Sequence, residues 1–212
     1  PTLQQPSAES TQDRDPMAQE MSLVDAVIRA KLSSDVALIE QISHYIIGAG
    51  GKRIRPRLVL LFASALGFEG QQKYELAAVV EFIHTATLLH DDVVDESSLR
   101  RGRETANAMF GNAASVLVGD FLYSRAFQMM VSVNRMRVLD VLADATNVIA
   151  EGEVLQLMNM HDPDISVADY LRVIRYKTAK LFEASARLGA VIADAPREVE
   201  DTCADYGRAL GT

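Results

Sequence analysis

Residues 76–95 read LAAVVEFIHTATLLHDDVVD, and RRG follows at 100–102. Positions 76–89 are nearly all apolar, without the alternation of a half-buried strand, which predicts a buried helix. Three carboxylates then fall between 91 and 95. Residues four apart share a helix face, so Asp91 and Asp95 point the same way about one turn apart, with Asp92 on the flank. Like charges this close need a counter-charge. A solvated helix end would find it in local ion pairs, but a buried helix ending in three aspartates more often lines a cavity. Hard divalent cations take oxygen ligands, and Mg²⁺ combines one or two carboxylates with substrate phosphates. The guanidinium forks of Arg100 and Arg101 match phosphate oxygens. Together these residues predict a Mg²⁺-diphosphate site.

A second constellation stands upstream at 50–56, GGKRIRP. Its glycines let the backbone approach a ligand, and the helix that follows presents an N-terminus that favours anions. Lys52 and Arg55 would add direct charge. Alone, such a stretch is a basic surface loop; paired with the aspartate helix it becomes a second anion site. His84 lies seven residues before Asp91, two turns up the same face, and is either a satisfied core residue or a phosphate contact. His90 points about 100° away and reads as structural. Lys177, in Tyr176-Lys177-Thr178, either snorkels to solvent or reaches a diphosphate from the wall opposite the aspartates. Gly152, mid-helix in EGEVLQ (151–156), costs ~1 kcal/mol against Ala and so marks close helix approach or a bend; Gln156 is placed towards the pocket. Met129, Met130, Met136, Met158 and Met160 read as core filler.

Composition excludes several classes. A formal charge of −8 argues against general nucleic-acid binding, so two tight basic clusters in an acidic chain point to a small anionic ligand. With one cysteine, Cys203, no internal disulfide can form, which suits a reducing compartment. No run approaches a membrane span. A cytoplasmic protein is expected, with contact at a membrane surface left open. Residues 1–16 are polar and proline-rich and read as a disordered tail; 17–212 read as one helical domain. Helical periodicity is expected over 17–32, 36–47, from Pro56 to 66, 71–94, 113–133, 138–160, 167–193 and 196–210, with 97–103 a polar loop. That makes an all-α fold of about eight helices and no strands.

In this order and spacing, GGKRIRP, His84, LLHDDVVD (88–95), RRG, GEVLQL (152–157) and YKT (176–178) resemble the trans-isoprenyl diphosphate synthases over about residues 20–212. The likeness is strongest to the bacterial long-chain polyprenyl type. The resemblance implies an isoprenoid-synthase helical bundle around a central cavity. It also implies a prenyltransferase that condenses isopentenyl diphosphate onto an allylic diphosphate in trans, giving a long-chain polyprenyl diphosphate of the kind that supplies quinone side chains. The implied roles are Asp91 and Asp95 holding Mg²⁺, with Asp92 supporting. Arg100, Lys177 and Thr178 would meet the allylic diphosphate; Lys52, Arg55, His84 and Arg101 would hold isopentenyl diphosphate. A homodimer is implied too. A terpene cyclase would also place aspartates on a helix but needs no GGKR loop, and a non-catalytic subunit of a heteromeric synthase is a further alternative. The chain stops at Thr212, where the family's second aspartate-rich motif would begin. A piece of a longer enzyme is therefore expected, with diphosphate-binding groups present and catalysis poor or absent at this length.

By the same logic the product tunnel has its floor near Ala86 and Thr87. Neither is aromatic, so short products are not expected, and the stop would be a larger side chain deeper down, with Phe127, Met130 and Leu139 as candidates.

Overall fold

Helices account for most of residues 16–48, 50–160 and 163–212, the part of the chain described in the computed structural model. In chain order they are α1 (Pro16–Lys31), α2 (Ala37–Gly48), α3 (Ile54–Ala65), α4 (Gln72–Val94), α5 (Ala106–Phe110), α6 (Asn112–Ser132), α7 (Met136–Met158), α8 (Val167–Ile174), α9 (Lys180–Ile192) and α10 (Arg197–Gly211). The expected tail over 1–16 lies outside the described residues, apart from Pro16, which opens α1.

Helix α4 is the axis of the bundle. Leu76, Ala77, Ala78, Val79 and Val80 are all fully buried, as are Phe82, Ile83, Ala86 and Leu89. A helix apolar all round has neighbours on every side, and α1, α3, α6 and α9 supply them. Each large buried side chain contributes about 1.5–3 kcal/mol before conformational entropy is charged against it. Lys73, Thr85 and Asp92 are the polar residues buried on α4, and the Lys73 Nζ is held 3.0 Å from Glu20 of α1.

The all-α class holds, and the structure departs from the expected elements in three places. The loop after α4 is a small antiparallel hairpin, β1 (Leu99–Arg100) with β2 (Arg103–Glu104). Arg101 and Gly102 at its tip have φ of 52° and 77°, the left-handed pair of a tight two-residue turn. Asparagine is the usual first residue there, so the arginine hid the signal. In addition, 167–193 is not one α-helix: a wide π-helical turn, Arg175–Ala179, interrupts it between α8 and α9. The short α5 was not expected either; Thr105 caps it by accepting from Ala108 N.

Of the five methionines expected as core filler, Met129 and Met130 are core residues, but Met136, Met158 and Met160 are exposed, because they sit at or beyond the ends of α7. Cys203 is free and buried. Among the described residues, no helix is long and apolar enough to cross a membrane.

Candidate functional site

Two cavities open along α4, about two turns apart. The acidic one lies at its C-terminal end, where the helix stops in a Schellman arrangement: Ser97 N bonds Asp92 O at 2.9 Å, Glu96 N bonds Val93 O at 3.3 Å, and Glu96 takes φ 50°. This ending leaves Asp91 and Asp95 on the wall of a cavity of about 320 Å³, together with Thr87, Tyr123, Glu153 and Gln156. Lys177 faces them from the π turn. Its Nζ lies 3.2 Å from Asp91 Oδ2 and 2.7 Å from Glu153 Oε2. The inserted residue of a π turn widens the helix locally, a feature common at functional sites. Gly152 of α7 permits the approach: a Cβ there would lie 2.8 Å from Lys177 N and from Tyr176 Cβ. The glycine thus marks a close contact between α7 and the turn.

Burial raises the Glu153 carboxyl above its usual range, opposed by the Lys177 hydrogen bond and reinforced by Asp91. Burial also works against the Lys177 ammonium, but Glu153 and Asp91 outweigh it and the net shift is upward. Tyr123 is pushed up to about 12 by burial, with Glu153 and Asp91 adding to the shift. Lys177 is therefore the counter-charge that the clustered acids require. Glu153 Oε1 is buried with no hydrogen-bond partner. Two carboxylates one turn apart and an orphaned hard oxygen fit Mg²⁺. Among the described residues no closed set of three His, Cys, Asp or Glu ligands forms, so such a cation would complete its shell with water or phosphate oxygens.

Asp92 points elsewhere. It is 1% exposed and receives Arg100 bidentately, Nη2 at 2.8 Å and Nε at 2.9 Å from Oδ1. Both border a narrow cleft with His84 and Arg101 rather than the acidic cavity. The structure thus does not bring Asp92 and Arg100 together with Asp91 and Asp95; the buried carboxylate needs its own counter-ion and takes Arg100. The hairpin that carries Arg100 is tied down by Thr105 Oγ1 donating to Ser97 O at 2.7 Å and by Asn107 Nδ2 donating to Asp92 O and Ser97 O, both at 3.2 Å.

The basic cavity, about 430 Å³, is lined by Gly51, Lys52, Arg53, Arg55, His84 and Arg101, with Glu81 as its acid. Arg101 donates to Gly50 O, and a Cβ on Gly51 would meet its guanidinium at 2.6 Å, so a side chain there would push aside the mobile end of the arginine. Arg55 lies over the Phe182 ring at 4.4 Å, and its Nη1 is 3.4 Å from His84 Nε2. A guanidinium can only donate, so Nε2 accepts and the imidazole proton sits on Nδ1. Burial, then the charges of Arg55, Arg101 and Arg100, pushes His84 down to about 3. Burial lowers Arg55 to about 10, with Glu81 opposing. Arg55 Nε is buried without a hydrogen-bond partner. A desolvated guanidinium with a spare donor, a neutral imidazole and an exposed Lys52 can accept a polyanion.

Of the residues singled out from sequence, Asp91 and Asp95 line one cavity, with Lys177 ion-paired to Asp91 behind its lining, and Lys52, Arg55, His84 and Arg101 line the other. Thr178 is half-buried in the π turn. His90 packs against α6, its Nε2 3.2 Å from Val116 O and its ring stacked on Tyr123, but it also edges the acidic cavity. Phe127, Met130 and Leu139 do not line that cavity, whereas Tyr123 and Ile149 do. Ala86 is sealed in the core, and Thr87 is the neighbour that reaches the wall. Sequence reasoning missed Glu81, Glu153 and Tyr123. For the two glutamates the available signal was an acid at helical spacing from other site residues on an otherwise apolar helix.

The polyprenyl synthetase family model matches residues 36–212. The octaprenyl diphosphate synthase of Escherichia coli (strain K12) is 60% identical over 195 residues, covering 92% of this chain and 60% of the relative. A decaprenyl diphosphate synthase from Rhodobacter capsulatus superposes with a TM-score of 0.89 at 52% identity, over 92% of this chain and 60% of that one. A polyprenyl synthase from Caulobacter crescentus CB15, complexed with calcium and isoprenyl diphosphate, also gives 0.89, at 50% identity over 92% of this chain and 59% of that one. The helical architecture is that of the prenyl synthases. The chain spans about 60% of the length of the relatives it matches.

Proposed function

Because this chain belongs to the polyprenyl synthetase family, we propose that it carries the substrate-binding half-sites of a prenyltransferase, one that extends an allylic diphosphate in trans with isopentenyl diphosphate to a long-chain polyprenyl diphosphate. The observation that carries this reading is the pair of cavities on α4, one acid-rich and apolar-walled, the other basic, with reference residues Asp91 and His84 about 10 Å apart along the helix by its 1.5 Å rise. Two diphosphates held that way bring their hydrocarbon ends together.

Asp91 and Asp95 would hold Mg²⁺, a role supported by the hard-oxygen set and by the calcium and isoprenyl diphosphate of the Caulobacter relative. Bound there, Mg²⁺ would offset the charge of the departing diphosphate as the allylic C–O bond breaks. Lys177 and Thr178 face the same diphosphate from the π turn, Lys177 releasing Asp91 as it does so. Arg100 joins them only if it leaves Asp92. Lys52, Arg55 and Arg101 bind the second diphosphate; neutral His84 orients Arg55 without adding charge. The alkene of isopentenyl diphosphate bonds the allylic carbon, and the proton then lost goes to the released diphosphate. Ile149, Val154, Leu157 and Met160 supply the apolar wall along which the hydrocarbon of the allylic diphosphate lies. The proposal includes a homodimer, supported by the exposed Leu117 and Val131 on α6, and a cytoplasmic location with membrane contact through the product.

The test is incubation of the purified chain with Mg²⁺, farnesyl diphosphate and labelled isopentenyl diphosphate, with calorimetric titration of each diphosphate in parallel. Label in long-chain product, or Mg²⁺-dependent binding of farnesyl diphosphate with separate binding of isopentenyl diphosphate, supports the reading. Cyclised hydrocarbon without label would indicate a terpene cyclase, and absence of both binding events would overturn the proposal.

A further inference from the structure

Arg53 sits in the basic loop but makes bonds unlike those of its neighbours. Lys52 is exposed, whereas the Arg53 guanidinium is drawn to three helices by ion pairs and one hydrogen bond, although its Nη1, like Arg55 Nε, is buried without a hydrogen bond. Its Nη1 lies 3.3 Å from Glu81 Oε1 of α4, and its Nη2 lies 3.7 Å from Asp25 Oδ1 of α1 and 3.5 Å from Ile47 O of α2. Side-chain exposure is 14% for both Arg53 and Glu81. The Arg53 backbone is left-handed, φ 48° and ψ 43°, at the position that caps α3. A non-glycine residue there costs about 1–2 kcal/mol, and no side-chain cap compensates. The Arg53 carbonyl nevertheless accepts the first turn's bond from Arg57 N at 3.2 Å. The conformation of this one residue therefore sets where the α3 N-terminus, and Arg55 within its first turn, point.

We propose that Arg53 and Glu81 are a positioning pair: their ion pair holds the 50–53 loop in its left-handed turn so that Lys52, Arg55 and the α3 N-terminus converge on a diphosphate, without Arg53 itself binding it. This rests on the reading of the basic cavity as the isopentenyl diphosphate site. Burial raises the Glu81 carboxyl above its usual range, and the charges of Arg53, Arg55 and Arg101 oppose that rise. A carboxylate inside an anion site is otherwise a liability, because it repels the ligand.

That liability makes the test one of sign. If charge alone governed binding, Glu81→Gln, which removes a negative charge, would tighten diphosphate binding. The positioning role requires it to weaken. Arg53→Gly relieves the backbone strain, so a loss there comes from the side chain. Calorimetric titration of isopentenyl diphosphate into the 212-residue chain should show both variants weaker by about tenfold and Arg53→Lys, which keeps the pair, close to the original. Circular dichroism checks that each variant keeps its helical content. Tighter or unchanged binding by Glu81→Gln overturns the proposal, and so does wild-type binding by Arg53→Gly if Glu81→Gln does not fold. Arg55→Ala separates the two levels. Weaker binding by Arg55→Ala with unchanged Arg53→Gly and Glu81→Gln sinks only the positioning role. Unchanged binding by Arg55→Ala, or none by the unsubstituted chain, sinks the site assignment and the positioning role with it.

Discussion

Replacing Gly152 with alanine sets two effects of opposite sign against each other. Within α7 the substitution should favour the helix by about 0.5–1 kcal/mol, because alanine has less backbone entropy to lose. Against this, the added methyl would lie 2.8 Å from Lys177 N and Tyr176 Cβ and 3.0 Å from Tyr176 C. None of these atoms is the free end of a side chain that could rotate away, so the backbone must move. Overpacking of this kind costs about 1–3 kcal/mol, which outweighs the propensity gain. A net loss of about 1–2 kcal/mol lowers the Tm of a chain this size by about 2–8 °C. The π turn is the part that can yield, and its displacement takes Lys177 away from Asp91 and Glu153. Diphosphate binding in the presence of Mg²⁺ should therefore weaken along with the melt. Gly48→Ala is the control: nothing stands within 4 Å of a Cβ there, so removing the glycine should stabilise by about 0.4–1 kcal/mol. Thermal melts followed by far-ultraviolet circular dichroism measure both. A rise in Tm for Gly152→Ala comparable to that for Gly48→Ala would refute the argument that the α7 contact needs a bare Cα.

Other perturbations follow from the same geometry. His84, pushed down to about 3, binds its proton more weakly folded than unfolded, so its contribution to stability is full above about pH 6.5 and is lost as pH falls from there towards 3; urea titrations should show a shallower fall across that window for His84→Gln, and an identical slope would contradict the depressed pKa. Arg100→Ala strands a carboxylate that is 1% exposed and should cost about 3–5 kcal/mol, whereas Asp92→Asn leaves an arginine that can reach water and should cost less; denaturant midpoints giving the reverse order would be incompatible with this burial pattern. Ala86→Phe overfills a closed part of the core and should destabilise by about 1–3 kcal/mol or more, while Thr87→Phe projects into the acidic cavity and, in an active preparation, should shorten the product seen by chromatography. Full-length products from Thr87→Phe would remove that wall from the product path.

The fold class was legible because α4 is apolar on every side, which only a surrounded helix can be. Most helix ends fell within a residue or two of the periodic pattern, as with Gln72–Val94 and Arg197–Gly211. The π turn was not legible, since the YKT stretch has ordinary helical composition and only packing against Gly152 selects the wider turn. The hairpin at 99–104 was hidden for a related reason. Arginine at a left-handed position is unfavourable locally and is held there by its bond to Gly50 O, a residue distant in sequence.

By itself the sequence determined the chemistry at hand: acids one turn apart at the end of a buried helix, and a glycine-flanked basic loop before another. Local spacing suffices for this, because the helical repeat fixes which side chains share a face. Only the tertiary structure decided how those groups are partitioned. Asp92 and Arg100 neutralise each other because one of them is buried, Glu153 joins Asp91 because α7 packs against the π turn whose Lys177 they share, and Arg53 is set apart from Lys52 and Arg55 by partners on three other helices. Charge pairing inside a folded chain depends on which groups lose water together, and that is settled by packing rather than by the order of residues.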